Sequence, residues 1–259
     1  MQIVTLTTDL GHDDHYVPIL KGQLLQESRQ IMLVDLTHHI TPFDPFKAGE
    51  MMNICLPNFP EGTLHLVFVN PLNANTLPVI MAKIRGQYVI GSDNGMWGFL
   101  LREGMEAEWM VELKSDGKQD TDSFALLPYF RLGLRNLLNG NPRGTGTLVE
   151  SYIEKIPFLP FAQGDSLSGY VTHVDHFGNV ITNISRQEFE NARKGRPFSI
   201  QYGSRNSIER ISRHYEDTDM GYQLALFNSS GNLELAVNSG NASKLLGLKR
   251  HSKVVIIFD

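Results

Sequence analysis

The sequence predicts an α/β N-terminal domain with a mostly parallel sheet, followed by a smaller β-rich C-terminal domain. Three observations carry this reading. In the first half, short β-branched runs alternate with stretches whose apolar residues recur at helical spacing, as in strands joined by helical crossovers. Pro142–Gly164, with three prolines and several glycines, then interrupts the pattern. Beyond residue 165 strand-like runs follow one another with turns between them. The expected domains are residues 1–150 and 165–259.

Taken in order, Ile3–Thr7 is a β-branched run that ends at Asp9 and Gly11, a strand entering a loop. Tyr16–Gln26 places Val17, Leu20, Leu24 and Leu25 near one helical face. Ile31–Leu36 reads as a second strand, and Pro42 with Asp44 opens a helix through Asn53. Leu64–Val69 is a third strand, ending at Asn70-Pro71. Ile80–Ile84 and Tyr88–Ile90 form a pair that turns at Arg85-Gly86. Asp122–Leu138 is predicted helical despite Pro128. In the second half, Gly169–Val174, Asn179–Ile184, Gln223–Phe227, Leu233–Val237 and Lys253–Phe258 read as strands.

The bulk figures narrow the function. The 259 residues suffice for a substantial core, and 41% hydrophobic with 20% charged residues is ordinary for a globular protein. A net charge of -5 gives no electrostatic reason to expect nucleic acid or an anionic membrane as partner. The one cysteine, Cys55, excludes an intramolecular disulfide and a cysteine-rich zinc site. No basic segment followed by a long apolar one opens the chain, and no apolar run nears the roughly 20 residues of a membrane span. A cytoplasmic protein is expected.

Polar residues gather where strands end, the usual place for ligands on parallel sheets. Asp9 follows the first strand, where a carboxylate can accept hydrogen bonds from a ribose diol or cap the next helix. His12–His15 (HDDH) and His173–His176 (HVDH) are dense in metal-ligand types, but neighbours on a strand point to opposite faces. No GxSxG, GxGxxG, Walker or HExxH motif is present. Gly169–Ile184 (GYVTHVDHFGNVITNI) combines strand alternation with Asp175, Phe177, Gly178 and Asn179, a set that can hold a small polar ligand. Asn228-Ser229-Ser230-Gly231 and Asn238-Ser239-Gly240-Asn241 bracket a strand. Backbone near Asn238 and Ser239 can meet a purine edge, or form a turn and a helix cap. Pro197–Asp219, rich in Arg, Ser and Tyr, carries no functional reading.

Five of these segments occur in order over nearly the whole chain: TTDLGHDDHYVPILKG from Thr7, VDLTHHITPFD from Val34, SDNG from Ser92, GYVTHVDHFGNVITNI from Gly169, and LELAVNSGNA from Leu233. Together they resemble the S-adenosylmethionine (SAM) hydroxide adenosyltransferases, relatives of the fluorinases and chlorinases. The resemblance implies a homotrimer, with ligand between the N-terminal domain of one subunit and the C-terminal domain of the next. It implies SAM as substrate or ligand; no separate cofactor and no bound metal are expected. By position Asp9 resembles the ribose-diol acceptor and Phe43 an aromatic residue beside the ligand. Asp175 and Asn179 resemble residues at the amino-acid end or the adenine, and Phe177 an adenine wall. Ser229 and Ser230 match positions near the methionine carboxylate and adenine, and Asn238 and Ser239 the adenine-recognition strand end. Tyr16, His38 and Asp93 also lie in family motifs and take structural roles.

The resemblance breaks at the water-handling residues. The family's Asp, Arg and His positions align with Asn70, Leu77 and Gln119, leaving the catalytic residues unassigned. Asn70, which also belongs to the ligand-binding set, is not a carboxylate base. Leu77 lacks the guanidinium fork, and Gln119 exchanges no proton near neutral pH. General acid–base help is worth about 10²–10⁴-fold. The expected function is therefore a SAM- or adenosine-binding homologue with weak or altered catalysis. The alternatives are a non-catalytic nucleoside-binding or regulatory protein and a metal-dependent hydrolase.

Overall fold

A computed structural model describes residues 1–70, 77–101, 105–114, 124–155, 159–203 and 206–259. The chain forms two compact units, Met1–Pro157 and Phe158–Asp259, and is sheet-rich in both.

The first unit is built on seven strands: β1 (Gln2–Thr8), β2 (Ile31–Thr37), β3 (Leu64–Phe68), β4 (Val79–Ile84), β5 (Gln87–Ser92), β6 (Ala107–Glu112) and β7 (Thr147–Leu148). They lie in the order β2-β1-β3-β5-β4-β6-β7. The β1–β2, β1–β3 and β3–β5 pairs are parallel, whereas β4–β5, β4–β6 and β6–β7 are antiparallel. The sheet is thus mixed, which corrects the expectation of a mostly parallel one. The physical reason sits at Arg85 and Gly86. Both have positive φ, 50° and 74°, and they form the two-residue loop of a tight hairpin that forces β4 and β5 antiparallel.

Among the described residues four helices cover this sheet: α1 (Tyr16–Glu27), α2 (Pro45–Cys55), α3 (Trp97–Leu100) and α4 (Leu127–Leu138). Alternate strand residues feed opposite faces. Leu64, Leu66 and Phe68 of β3 pack with Leu20 and Leu24 of α1 and Phe130 and Leu134 of α4. On the other face Val67 joins Ile80, Ala82 and Ile84 of β4 against Ala48 and Met52 of α2 and Trp97 of α3. Burial on both faces explains why the central strands read as continuous apolar runs. Asp44 caps α2 by accepting the Lys47 N–H at 3.1 Å. The helix expected from Asp122 begins at Leu127, because Pro128 fits the first turn, where its missing N–H costs nothing.

A buried polar chain crosses the core of this unit. Gln87 gives its Nε2–H to the Leu56 carbonyl, so its Oε1 receives the His65 Nε2–H at 2.8 Å. His65 Nδ1 then accepts the Thr5 hydroxyl at 2.7 Å. Burial drives the His65 pKa down to about 4, from an ordinary 6.5. Below pH 6.5 the unfolded chain takes up a proton that the folded chain refuses, so stability is full above that pH and falls towards pH 4. The cost reaches about 3 kcal/mol, at ~1.4 kcal/mol per pH unit. Urea unfolding at pH 7 and pH 4 measures it: His65→Gln should lose less stability over that range by about this amount. Equal losses in the two proteins would contradict the assignment.

The second unit holds β8 (Phe161–Gln163), β9 (Ser166–Val174), β10 (Val180–Ser185), β11 (Phe198–Tyr202), β12 (Asn206–Ile208), β13 (Gln223–Phe227), β14 (Asn232–Val237) and β15 (Lys253–Phe258). The strand order is β12-β11-β15-β9-β10-β14-β13, with β8 beside β9, and every pairing is antiparallel. Two helices accompany it, α5 (Arg186–Arg193) and α6 (Ala242–Leu246). One sheet face supplies Val180, Ile184, Leu233 and Leu235 to a core closed by Phe189 of α5, whose ring meets Phe198 at 5.0 Å and Phe227 at 5.4 Å. A capping box between Ser185 and Glu188 starts α5. The Pro142–Gly164 segment is partly strand: β7 pairs with β6, and the Ile153 N–H binds Asp93 Oδ1 at 2.9 Å.

Candidate functional site

Two sets of residues stand out, one in each unit. In the first unit Asp9 directly follows β1, at the carboxyl ends of parallel strands. Its Oδ2 accepts two backbone N–H groups, from Phe43 and from Asn70, each at 3.0 Å. Both donors are left-handed, with φ of 64° and 53°. That conformation suits asparagine but strains a phenylalanine by about 1–3 kcal/mol. The carboxylate therefore braces two loops, and the Phe43 ring is left 60% exposed. Asp9 Oδ1 has no hydrogen-bond partner among the described residues.

The backing of this loop is polar and buried. His38 Nδ1 meets Thr8 Oγ1 at 2.9 Å, and Lys21 binds Asp35 Oδ2 at 2.5 Å. His38 Nε2 lies 3.1 Å from Asp35 Oδ1, an ion-pair distance without hydrogen-bond alignment. Burial lowers the His38 pKa against the opposing pull of Asp35. Burial also pushes the Asp35 carboxyl up, but Lys21 and His38 outweigh it and hold it below its ordinary value. His38 consequently serves as a neutral support. Asn94 of the SDNG segment donates to the Val69 carbonyl at 3.1 Å and so fixes the strand end that presents Asn70.

Of the altered water-handling positions, Asn70 touches Asp9 through its backbone, and Leu77 is half-buried just before β4. Gln119 lies outside the described residues, as do positions 71–76. His12 stacks edge-on to His38 and His39, at 4.7 and 4.9 Å between ring centres. Among the described residues, no three His, Cys, Asp or Glu side chains are grouped to hold a metal ion.

In the second unit a cleft of about 510 Å³ opens on the sheet face away from the main core. Register builds its floor. His173 pairs with Ile181, Ile181 with Glu234, and Glu234 with Leu226, so one rung of four residues runs across β9, β10, β14 and β13. All four line the cleft, and its walls include Asp175, Ser229 and the segment from Arg213 to Glu216. Glu234, 3% exposed, accepts the Tyr215 hydroxyl at 2.8 Å and a bond from the Asn228 side chain. Burial raises the Glu234 pKa, and the nearby Asp175 charge adds to the rise. Tyr215 is pushed up to about 12 by burial and by its bond to Glu234.

Of the remaining sequence-predicted residues of the second unit, Asp175 and Ser229 line this cleft, whereas Phe177, Asn179, Ser230, Asn238 and Ser239 are not among its lining residues. Asp175 clamps its own turn: Oδ1 accepts the Asn179 N–H at 2.8 Å and Oδ2 the Asn179 amide at 3.0 Å. Gly178, at φ 91°, must be glycine here, since a Cβ would stand 2.1 Å from the Asn241 amide. Phe177 projects from the tip of the turn, 75% exposed. Asn228 Oδ1 receives the Ser230 N–H at 3.0 Å, which holds Ser229 and Ser230 on the β13–β14 turn. Asn238 is occupied by the fold: its amide donates to the Thr218 carbonyl at 2.8 Å and accepts Ser239 Oγ at 3.0 Å. Its backbone N–H and C=O pair with Tyr222 and Gly221. Ser239 is left-handed, at φ 56°.

Sequence reasoning missed Glu234, Tyr215 and Arg213. The signal for Glu234 was one charged residue inside an otherwise apolar strand; the other two lie in the segment that had no functional reading.

The N-terminal domain of the SAM hydroxide adenosyltransferases matches residues 4–140, and the C-terminal domain of the same family matches residues 169–255. The chain belongs to the SAM hydroxide adenosyltransferase family. Within it, a relative from Methanocaldococcus jannaschii named (R)-S-adenosyl-L-methionine hydrolase is 26% identical, over 100% of this chain and 97% of its own. A fluorinase from Nocardia brasiliensis is also 26% identical, over 95% and 94%. The crystal structure of a conserved protein from Thermotoga maritima superposes with a TM-score of 0.86 at 27% identity, covering 99% of this chain and 100% of that one. The SAM hydroxide adenosyltransferase fold is therefore present in both units. No helix among the described residues is long and apolar enough to cross a membrane.

Proposed function

We propose that this protein binds SAM, or its adenosine part, and displaces methionine from it only weakly or in an altered way. The observation that carries the reading is Asp9, with one oxygen bracing two left-handed amides and the other without a hydrogen-bond partner among the described residues. A carboxylate so held has little rotational freedom left to lose when it accepts a ribose hydroxyl. Names of relatives, hydrolase and fluorinase, support the ligand class.

In the reaction proposed for active members, water attacks the ribose C5′ in line with the sulfonium. The C5′–S electron pair returns to sulfur, giving neutral methionine thioether, adenosine and a proton released to solvent. Here Asn70 gives a neutral amide, and Leu77 an apolar side chain, where the family resemblance expects a carboxylate and a guanidinium. Positioning of the two reactants can still support slow turnover, because the sulfonium is already a good leaving group. The same two residues favour the second reading, a nucleoside-binding protein without turnover. A homotrimer of 29.1 kDa chains in the cytoplasm is part of the proposal.

Calorimetric titration with SAM, adenosine and methionine tests the ligand claim. Saturable binding of SAM or adenosine is expected. Heat of dilution alone with both would refute it. Sedimentation at the mass of a single chain would remove the trimer.

A further inference from the structure

We propose that Asn94 is a positioning residue for ribose recognition, acting on Asp9 through the peptide group that joins Val69 to Asn70. The inference rests on the reading of Asp9 as the ribose acceptor, and it concerns what holds that carboxylate in its binding position.

The carbonyl of Val69 and the N–H of Asn70 belong to one planar peptide group, and they point in opposite directions across it. Asn94 Nδ2 donates to that carbonyl at 3.1 Å, and that N–H donates to Asp9 Oδ2 at 3.0 Å. The plane is pinned on both edges. Turning it over would carry Asn70 from φ 53° into the ordinary extended region, so the backbone itself favours letting go. The two hydrogen bonds oppose that release. They also reinforce each other, because a carbonyl that accepts a bond makes the N–H of the same peptide group a better donor. Without the Asn70 N–H, Asp9 Oδ2 keeps only the Phe43 donor among the described residues. The carboxylate then regains rotational freedom that ribose binding has to take away.

Asn94 suits the task because it is itself immobilised. It is 6% exposed, and its Oδ1 accepts the Met96 N–H at 3.3 Å, which turns Nδ2 towards Val69. The neighbouring Asp93 ties the same turn down twice. Its backbone N–H binds the Pro78 carbonyl at 2.8 Å, and its carboxylate takes the Ile153 N–H at 2.9 Å. The turn follows β5, which lies parallel to β3, the strand that leads into Val69. A rigid sheet end therefore holds the peptide that holds Asp9.

Asn94→Asp tests this, since it keeps the size and the acceptor for Met96 but loses the donor to Val69. The probes are adenosine and its 2′,3′-dideoxy analogue, which lacks both ribose hydroxyls, bound at equilibrium to the full chain. The wild type should prefer adenosine by about 10²-fold or more, and Asn94→Asp should narrow that preference about fivefold. Affinity for the dideoxy analogue should stay within about twofold, whereas general damage to the fold would weaken both nucleosides alike. An unchanged preference in Asn94→Asp would overturn the proposal, as would an equal loss for the two nucleosides. If Asn94→Asp does not fold, hydrogen exchange at the Asn70 amide of the wild type decides. Exchange about a hundredfold or more slower than in an open loop is expected, and exchange at the open-loop rate overturns the proposal. Failure of the wild type to bind either nucleoside, or equal binding of both, would instead sink the reading of Asp9 as ribose acceptor, and this inference with it.

Discussion

Asp9→Ala is expected to weaken SAM or adenosine binding by about 10²–10⁴-fold. The estimate takes two charge-assisted hydrogen bonds to a ribose diol at about 1.5–3 kcal/mol each. The same change removes the acceptor for the Phe43 and Asn70 amides, whose left-handed backbones then have nothing to hold them. Thermal unfolding should therefore shift down as well, by roughly 1–3 kcal/mol. Asp9→Asn separates the two roles. Its amide oxygen can still accept the loop N–H groups, so stability should largely return while ligand affinity stays well below wild type. An Asp9→Ala protein that binds adenosine within threefold of wild type would show that this carboxylate serves the loops alone.

The second large effect concerns turnover. Restoring the family's proposed water-handling groups with Asn70→Asp, Leu77→Arg and Gln119→His together should raise SAM hydrolysis by about 10²–10⁴-fold, the usual worth of general acid–base assistance. Asp tolerates the left-handed conformation of position 70 nearly as well as Asn does, so the backbone should not resist the change. A carboxylate there would also stand near Asp9, and mutual repulsion would raise its pKa towards that of a useful base. Adenosine release measured by chromatography at saturating SAM provides the readout. No increase, with SAM affinity intact, would mean that these three positions do not limit the reaction.

How much of this could be read from the chain depended on whether the information was local. The apolar or β-branched runs that became β1, β3, β13 and β14 were legible because most of their residues are buried. Strands β6, β11 and β12 were not, since charges interrupt β6 and the others take meaning only from their partners. The Ser185–Glu188 capping box that starts α5 was present but unread. The parallel count failed because a tight turn at Arg85-Gly86 outweighs the α/β rhythm around it.

The candidate site divides in the same way. Asp9 and Asp175 lie in local motifs, and the structure gives each a braced carboxylate. Glu234 was hidden because its position depends on register across four strands, which no single segment encodes. Asn238 illustrates the converse. Its motif is plain in the sequence, yet its side chain and backbone are committed to the strap around Thr218 and Tyr222.

The most direct measurement is to incubate the wild-type protein with saturating SAM, following bound SAM by equilibrium dialysis and free adenosine by chromatography in the same samples. Retained binding with adenosine release at least a hundredfold slower than in the Asp-Arg-His variant is the expected result. Rapid, saturable release by the wild type would contradict the claim of weakened catalysis, and absence of bound SAM would contradict the claim of a retained adenosyl site.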